Sequence, residues 1–345
     1  MYKIFRPILF LFSPETIHHL IVFMMKTLRF LPGIPFVLRK IFTFSHPNLE
    51  REVFGLKFPN PVGLAAGFDK NAEVFNELGV FGFGFIEVGT VTPLAQKGNP
   101  KPRCFRLPVD KAIINRMGFN NKGADTASKN LSKKRKNNLI IGGNIGKNTL
   151  TNNDDANNDY KADFISLYNY VDYFVVNVSC PNITDLHKLQ DKDSLSGLLT
   201  VLVEERSRQS VYKPILLKIS PDLSFEQIDD TLEIINNVKL DGIVATNTTT
   251  SREGLKTSAK KLQSIANGGL SGAPLTKRSL EIVRYISQKT EGKLPIIGVG
   301  GIMNEQDAIN MLDAGASLIQ VYSGFIYEGP GFVKRINKKI MKNNE

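Results

Sequence analysis

The sequence predicts an α/β chain built as a closed (β/α)8 TIM barrel with an N-terminal apolar helical hairpin. Three observations carry this. From about residue 62 onward, eight short runs rich in Val, Ile, Leu and Phe recur, and runs of that kind read as buried strands. Helix-patterned segments separate most of them, which implies a parallel sheet. Eight such units in a chain of 345 residues favour closure over an open doubly wound sheet. The chain divides into residues 1–46, unlike the remainder in composition, and a barrel domain over 47–345.

Residues 1–46 alternate apolar clusters (Ile8 to Phe12, Leu20 to Met25, Phe36 to Leu38) with Lys3, Arg6, Lys26, Arg29, Arg39 and Lys40, against the single acid Glu15. No stretch reaches the roughly 18 uninterrupted apolar residues of a membrane span, and no small-residue cleavage site follows Pro7 to Phe12. Ser13-Pro14-Glu15 reads as a helix start, which predicts one helix from Ser13 to about Phe30. Pro32-Gly33-Ile34-Pro35 then turns the chain into a second, shorter one. Two apolar, basic helices suit an interfacial anchor lying on anionic lipid. A hairpin packed on its own domain or on a partner subunit fits the same pattern.

Val53 to Phe58 reads as a small hairpin. The expected barrel strands are Val62–Ala65, Gly84–Val88, Leu139–Asn144, Tyr173–Val178, Ile215–Ile219, Gly242–Thr246, Ile296–Gly298 and Leu318–Tyr322. Helices are expected at Ala72–Leu78, Phe225–Asn236, Lys277–Thr290 and Glu305–Ala314, the last stopped by Gly315. The longest excursions, Thr92–Lys122 and Gly254–Gly272, follow strands two and six, where barrel loops build an active face.

The soluble-type composition, 42% hydrophobic and 22% charged, excludes a disordered or multispanning chain. Cys104 and Cys180 are too few for a disulfide framework, so a reducing compartment is expected. His18, His19, His46 and His187 lack ligand spacing, and no metal is expected. A net charge of +11 points to an anionic partner. The basic run Lys133-Lys134-Arg135-Lys136 has no interleaved aromatics, reads as a solvated loop and gives no reason to expect nucleic acid.

The strand ends carry the chemistry. Ala65-Ala66-Gly67-Phe68-Asp69-Lys70 joins a glycine that permits close approach to a lysine that could pair with a carboxylate. Gly89-Thr90, Asn144, Lys218 and Thr246-Asn247-Thr248 close other strands. Gly298-Val299-Gly300-Gly301 and Tyr322-Ser323-Gly324 follow strands seven and eight, where barrels bind phosphate. Asn177-Val178-Ser179-Cys180-Pro181-Asn182 ends strand four with two amides and a thiol, able to read a heterocycle and move a proton. The same hexapeptide also suits a strand end with an Asx turn and an inert cysteine.

These motifs, together with Asn115-Arg116-Met117-Gly118-Phe119-Asn120-Asn121 and Asn144-Ile145-Gly146-Lys147-Asn148, resemble the dihydroorotate dehydrogenase family over nearly the whole chain. The apolar N-terminal helices resemble its membrane-associated, quinone-reducing class. The resemblance implies oxidation of (S)-dihydroorotate to orotate in pyrimidine biosynthesis, with FMN as cofactor and a membrane quinone as final acceptor, at the cytoplasmic face of the cell membrane. It implies FMN contacts from Ala66, Gly67, Thr90, Asn144, Asn177, Lys218, Thr246, Gly272, Gly301, Tyr322 and Ser323. Substrate contacts would come from Lys70, Asn115, Arg116, Met117, Gly118, Phe119, Asn177, Asn182, Asn247 and Thr248, with Cys180 as base. Two features depart from the pattern. Quinone-linked members usually carry serine where Cys180 stands, and Thr184-Asp185, followed by Leu186-His187, stands where relatives tend to have Pro-Gly. A soluble-type enzyme using fumarate or NAD, and a barrel that only binds a phosphate ligand, are the competing expectations. The oligomeric state is left open by the sequence.

Overall fold

The structure, a computed structural model, describes residues 2–28, 30–31, 33–135, 139–179 and 191–344. Eight parallel strands close a barrel: Val62–Leu64, Phe85–Val91, Ile140–Ile145, Tyr173–Asn177, Ile215–Ile219, Gly242–Ala245, Ile296–Val299 and Leu318–Val321. Each pairs with the next in sequence, and strand eight returns to strand one through Ile319–Val62, Gln320–Gly63 and Val321–Leu64. All eight expected strands are present with ends shifted by a few residues. Helices cover the outside, among them Phe225–Val238, Thr276–Lys289 and Glu305–Asp313. Ser224 and Asn304 start two of these with reciprocal capping boxes, which satisfy the first free N–H groups. The expected helix at Ala72–Leu78 is only Phe75–Leu78.

The hairpin pairs Arg51–Val53 with Leu56–Phe58. Val53 and Phe58 pack with Phe85, Tyr173, Leu216 and Leu318, which lie at or near the first residues of their strands, so the hairpin plugs that end of the barrel. Chemistry is left to the other end. There the two long excursions meet. Cys104–Leu107 pairs antiparallel with Ala112–Asn115, which pairs in turn with Gly269–Gly272. These strands are four residues each, too short to show alternation, and the last of them is paired from the remote Gly269–Gly272 segment.

The N-terminal segment holds three helices where two were expected: α1 (Tyr2–Leu11), α2 (Pro14–Leu28) and α3 (Ile34–Phe42). Pro7 lies inside α1 and masks the helix in the sequence, because an interior proline removes a backbone donor and crowds the preceding turn. Tertiary contacts hold α1 in place. Tyr2 OH donates to the Ile326 carbonyl at 2.6 Å and Arg6 Nη1 to that of Tyr327 at 3.0 Å. Ser13 caps α2 by accepting from Thr16 N at 3.1 Å. On α2, Glu15 pairs with the buried Arg103 at 2.7 Å and Lys26 with Glu73 at 2.9 Å. The segment is therefore packed on its own barrel, while Ile4, Phe5, Ile8, Phe23, Phe36 and Ile41 stay exposed on its other side. Among the described residues no helix is long and apolar enough to cross a membrane. Of the basic run, Arg135 is fastened to Asp172 and to the Tyr170 carbonyl, so it is not simply solvated; Lys136 lies outside the described residues.

Candidate active site

The strand ends converge on one cavity of about 510 Å³ that runs from the barrel mouth to the inner faces of α1 and α2. Of the expected cofactor contacts, Ala66, Gly67, Thr90, Asn177, Lys218, Thr246, Gly272, Gly301, Tyr322 and Ser323 line it. Asn144 does not; it lies one layer below, fully buried. Lys70, Asn115, Met117, Gly118, Phe119, Asn247 and Thr248 also line the cavity. Arg116 does not reach it. Its guanidinium donates to the carbonyls of Ile265 and of Pro102, the latter at 2.9 Å, and lies over the Phe105 ring, so it braces the loop that carries Asn115 and Met117. Cys180 and Asn182, with the loop through Asp185 and His187, lie outside the described residues.

Inside the barrel, toward the cavity, a polar network adjoins the apolar cluster of Val175, Leu216, Val244 and Ile297. Asn177 Nδ2 donates to Thr90 Oγ1 at 3.0 Å, Thr90 Oγ1 to Asn144 Oδ1 at 2.5 Å, and Asn144 Nδ2 to Glu87 Oε1 at 2.7 Å. Lys218 Nζ approaches the same Glu87 oxygen at 3.4 Å, and Gln320 Nε2 donates to the other at 2.6 Å. Asn247 Nδ2 extends the network, donating to Asn177 Oδ1 at 3.2 Å and to Ser179 Oγ at 3.0 Å. Amides fixed in this way present defined donors and acceptors. Glu87 and Gln320 are not among the residues the sequence singles out, although each is a polar residue inside a largely apolar strand, and a buried polar group needs partners.

The loop after strand one places Lys70 at the cavity wall. Its ammonium donates to the Gly67 carbonyl at 2.7 Å, and burial pulls its pKa below the ordinary lysine value. The neighbouring Asp69 is not its partner; it caps the N–H groups of Glu73 and Val74 at 2.7 and 2.8 Å. Among the described residues no carboxylate lies within ion-pair distance of Lys70, so a ligand anion can meet it. Gly301 shows why a glycine follows strand seven. It has φ +76°, and a Cβ there would lie 2.2 Å from Thr276 Cα, so only glycine allows this turn.

Toward α2 the lining changes to Ile17, His18, Ile21, Met25, Phe68 and Phe81. Arg106 also faces this part. Its Nη1 donates to the Phe12 carbonyl at 2.7 Å, while its buried Nε has no hydrogen-bond partner among the described residues. Cys104 lines the wall too, and burial raises its thiol to about 11, which keeps it protonated.

His18 packs edge-on against Phe68 at 5.1 Å, and burial, with help from the nearby Lys70 charge, holds it down to about 3 from an ordinary 6.5. Between those values the unfolded chain takes up a proton that the folded one refuses. The stability His18 contributes is therefore complete above about pH 6.5 and lost as pH falls toward 3. Melting temperature should fall more steeply between pH 7 and pH 4 in the wild type than in His18→Phe; parallel curves would contradict this.

The comparisons with known proteins agree with one another. A family model described as dihydroorotate dehydrogenase matches residues 48–343. The chain is 54% identical over 343 residues to a dihydroorotate dehydrogenase (quinone) of Christiangramia forsetii, covering 99% of each. It is 47% identical to one of Trichodesmium erythraeum, covering 99% of this chain and 95% of the relative. A crystal structure of DHODH from Eimeria tenella in complex with ferulenol superposes with a TM-score of 0.86 at 35% identity, covering 96% of this chain and 91% of that one.

Proposed function

Because the chain belongs to the dihydroorotate dehydrogenase family, we infer that its barrel mouth oxidises (S)-dihydroorotate to orotate with FMN bound and a membrane quinone as final acceptor. The observation that carries this is a continuous cavity joining the Lys218 and Gly301 end to the apolar walls of α2. Two ligands can be served from its two ends.

The donor set fits FMN. The Gly301 turn and the Tyr322-Ser323 turn offer backbone N–H groups to a phosphate, and the fixed amide of Asn177 and the hydroxyls of Thr90 and Thr246 line the space for a polar ring, with Asn144 holding Thr90 from behind. FMN bound there would supply the hydride acceptor and the route by which electrons reach the quinone. Lys218 supplies the positive charge that favours arrival of negative charge. Lys70 meets the substrate carboxylate, and Asn115, Asn177, Asn182 and Asn247 read the amide edges of its ring. Cys180 removes the proton beside the ring carbonyl, while the amides hold the ring so that both bonds break in alignment. Arg116 has no part in substrate contact on this reading.

The quinone uses the α1–α2 end, where Ile17, Ile21 and Phe81 suit an apolar ring and the unpartnered Arg106 Nε can donate to a carbonyl oxygen. Residues 1–46 then act as the membrane-facing segment and 47–345 as the catalytic domain. The exposed side chains Phe5, Ile8, Phe23 and Phe36, together with the net positive charge, suit docking on anionic lipid at the cytoplasmic face. The test is the purified protein's visible spectrum and the identity of the released cofactor. Flavin bands with FMN on release are expected; a folded, colourless protein would leave only a phosphate-ligand barrel.

A further inference from the structure

Glu87 is fully buried in the middle of strand two, in a position no substrate can touch. Three donors from three other strands converge on its carboxylate: Asn144 Nδ2, Lys218 Nζ and Gln320 Nε2. Lys218 and Gln320 line the cavity, whereas Glu87 and Asn144 lie behind them. The Lys218 ammonium, itself buried, has no other carboxylate within 4 Å among the described residues. A purely structural account needs Glu87 only to keep Lys218 from being an isolated buried charge. The network goes further. The relay from Asn177 through Thr90 and Asn144 points every donor toward Glu87, so the carboxylate also sets the orientation of Asn144 behind the cavity and, through it, of Asn177 at the cavity floor.

We propose that Glu87 is a positioning residue that fixes Lys218 at the cofactor end of the cavity and, by its negative charge, holds down the reduction potential of the bound flavin. The inference rests on the FMN reading given above. Reduction brings negative charge to the ring. A lone ammonium nearby would favour the reduced form strongly, and a carboxylate 3.4 Å from that ammonium cancels part of the effect in a dry site where charges are poorly screened. The steps of the reaction are unchanged. What Glu87 sets is how readily electrons leave again for a quinone.

The test is the potential of the flavin in Glu87→Gln holoenzyme, equilibrated at pH 6 against a dye of known potential. A more positive potential than in the wild type is expected, with slower reoxidation by quinone. The double variant Glu87→Gln/Gln320→Glu moves the carboxylate to strand eight while keeping a donor facing an acceptor, and should bring the potential back toward the wild-type value. It also covers the case in which the single variant does not fold. An unchanged or more negative potential in flavin-replete Glu87→Gln, or a double variant that stays as positive as the single one, would overturn the proposal. A wild-type protein without flavin would instead sink the functional reading, and this inference with it.

Discussion

Replacing Cys180 by alanine is expected to slow dihydroorotate oxidation by about 10²–10⁴-fold, the usual worth of a positioned base, while FMN stays bound. Nothing else in the strand-four hexapeptide can take a proton readily. Ser179 Oγ already donates to the Lys218 carbonyl at 2.8 Å and accepts from Asn247. A free thiol, with pKa near ~8.5, offers a few per cent thiolate at neutral pH, whereas a hydroxyl needs far more assistance. Cys180→Ser should therefore retain activity with its optimum displaced upward in pH. Anaerobic mixing with dihydroorotate, followed by flavin absorbance, separates the two events. Near-normal bleaching in Cys180→Ala would place the base elsewhere.

Removing Lys218 should be of similar severity. A preorganised group aimed at developing charge is worth roughly 10²–10³-fold, and Lys218→Ala deletes it. The single variant also leaves Glu87 buried without its cation, a change that costs about 3–5 kcal/mol when a buried pair is broken. Lys218→Met/Glu87→Gln avoids that penalty, so it should fold and hold flavin weakly yet remain slow. Wild-type rates in the folded double variant would remove Lys218 from the chemistry.

The barrel was legible because its strands are short apolar runs whose hydrophobicity is local information, and because the functional side chains sit at their ends. Thr90, Asn177, Lys218, Thr246 and Tyr322 all reach the cavity as their positions suggested. What stayed hidden depends on distance in sequence. The sheet joining Ala112–Asn115 to Gly269–Gly272 is set by pairing between remote loops, and the bonds from Tyr2 and Arg6 that hold α1 run to the last barrel turn. Arg116 stands apart from the cavity, held by the Ile265 and Pro102 carbonyls. Its motif places it beside Asn115, but alternation along an extended chain turns neighbouring side chains to opposite faces, and its guanidinium braces the loop from behind.

The central claim is that one cavity serves dihydroorotate at the barrel mouth and a quinone beside α2. Steady-state turnover of dihydroorotate with a quinone, with fumarate and with NAD, measured side by side on the same preparation, tests it most directly. The cavity's apolar arm predicts rapid turnover with quinone and negligible turnover with the other two; turnover supported by fumarate or NAD with quinone inert would contradict it.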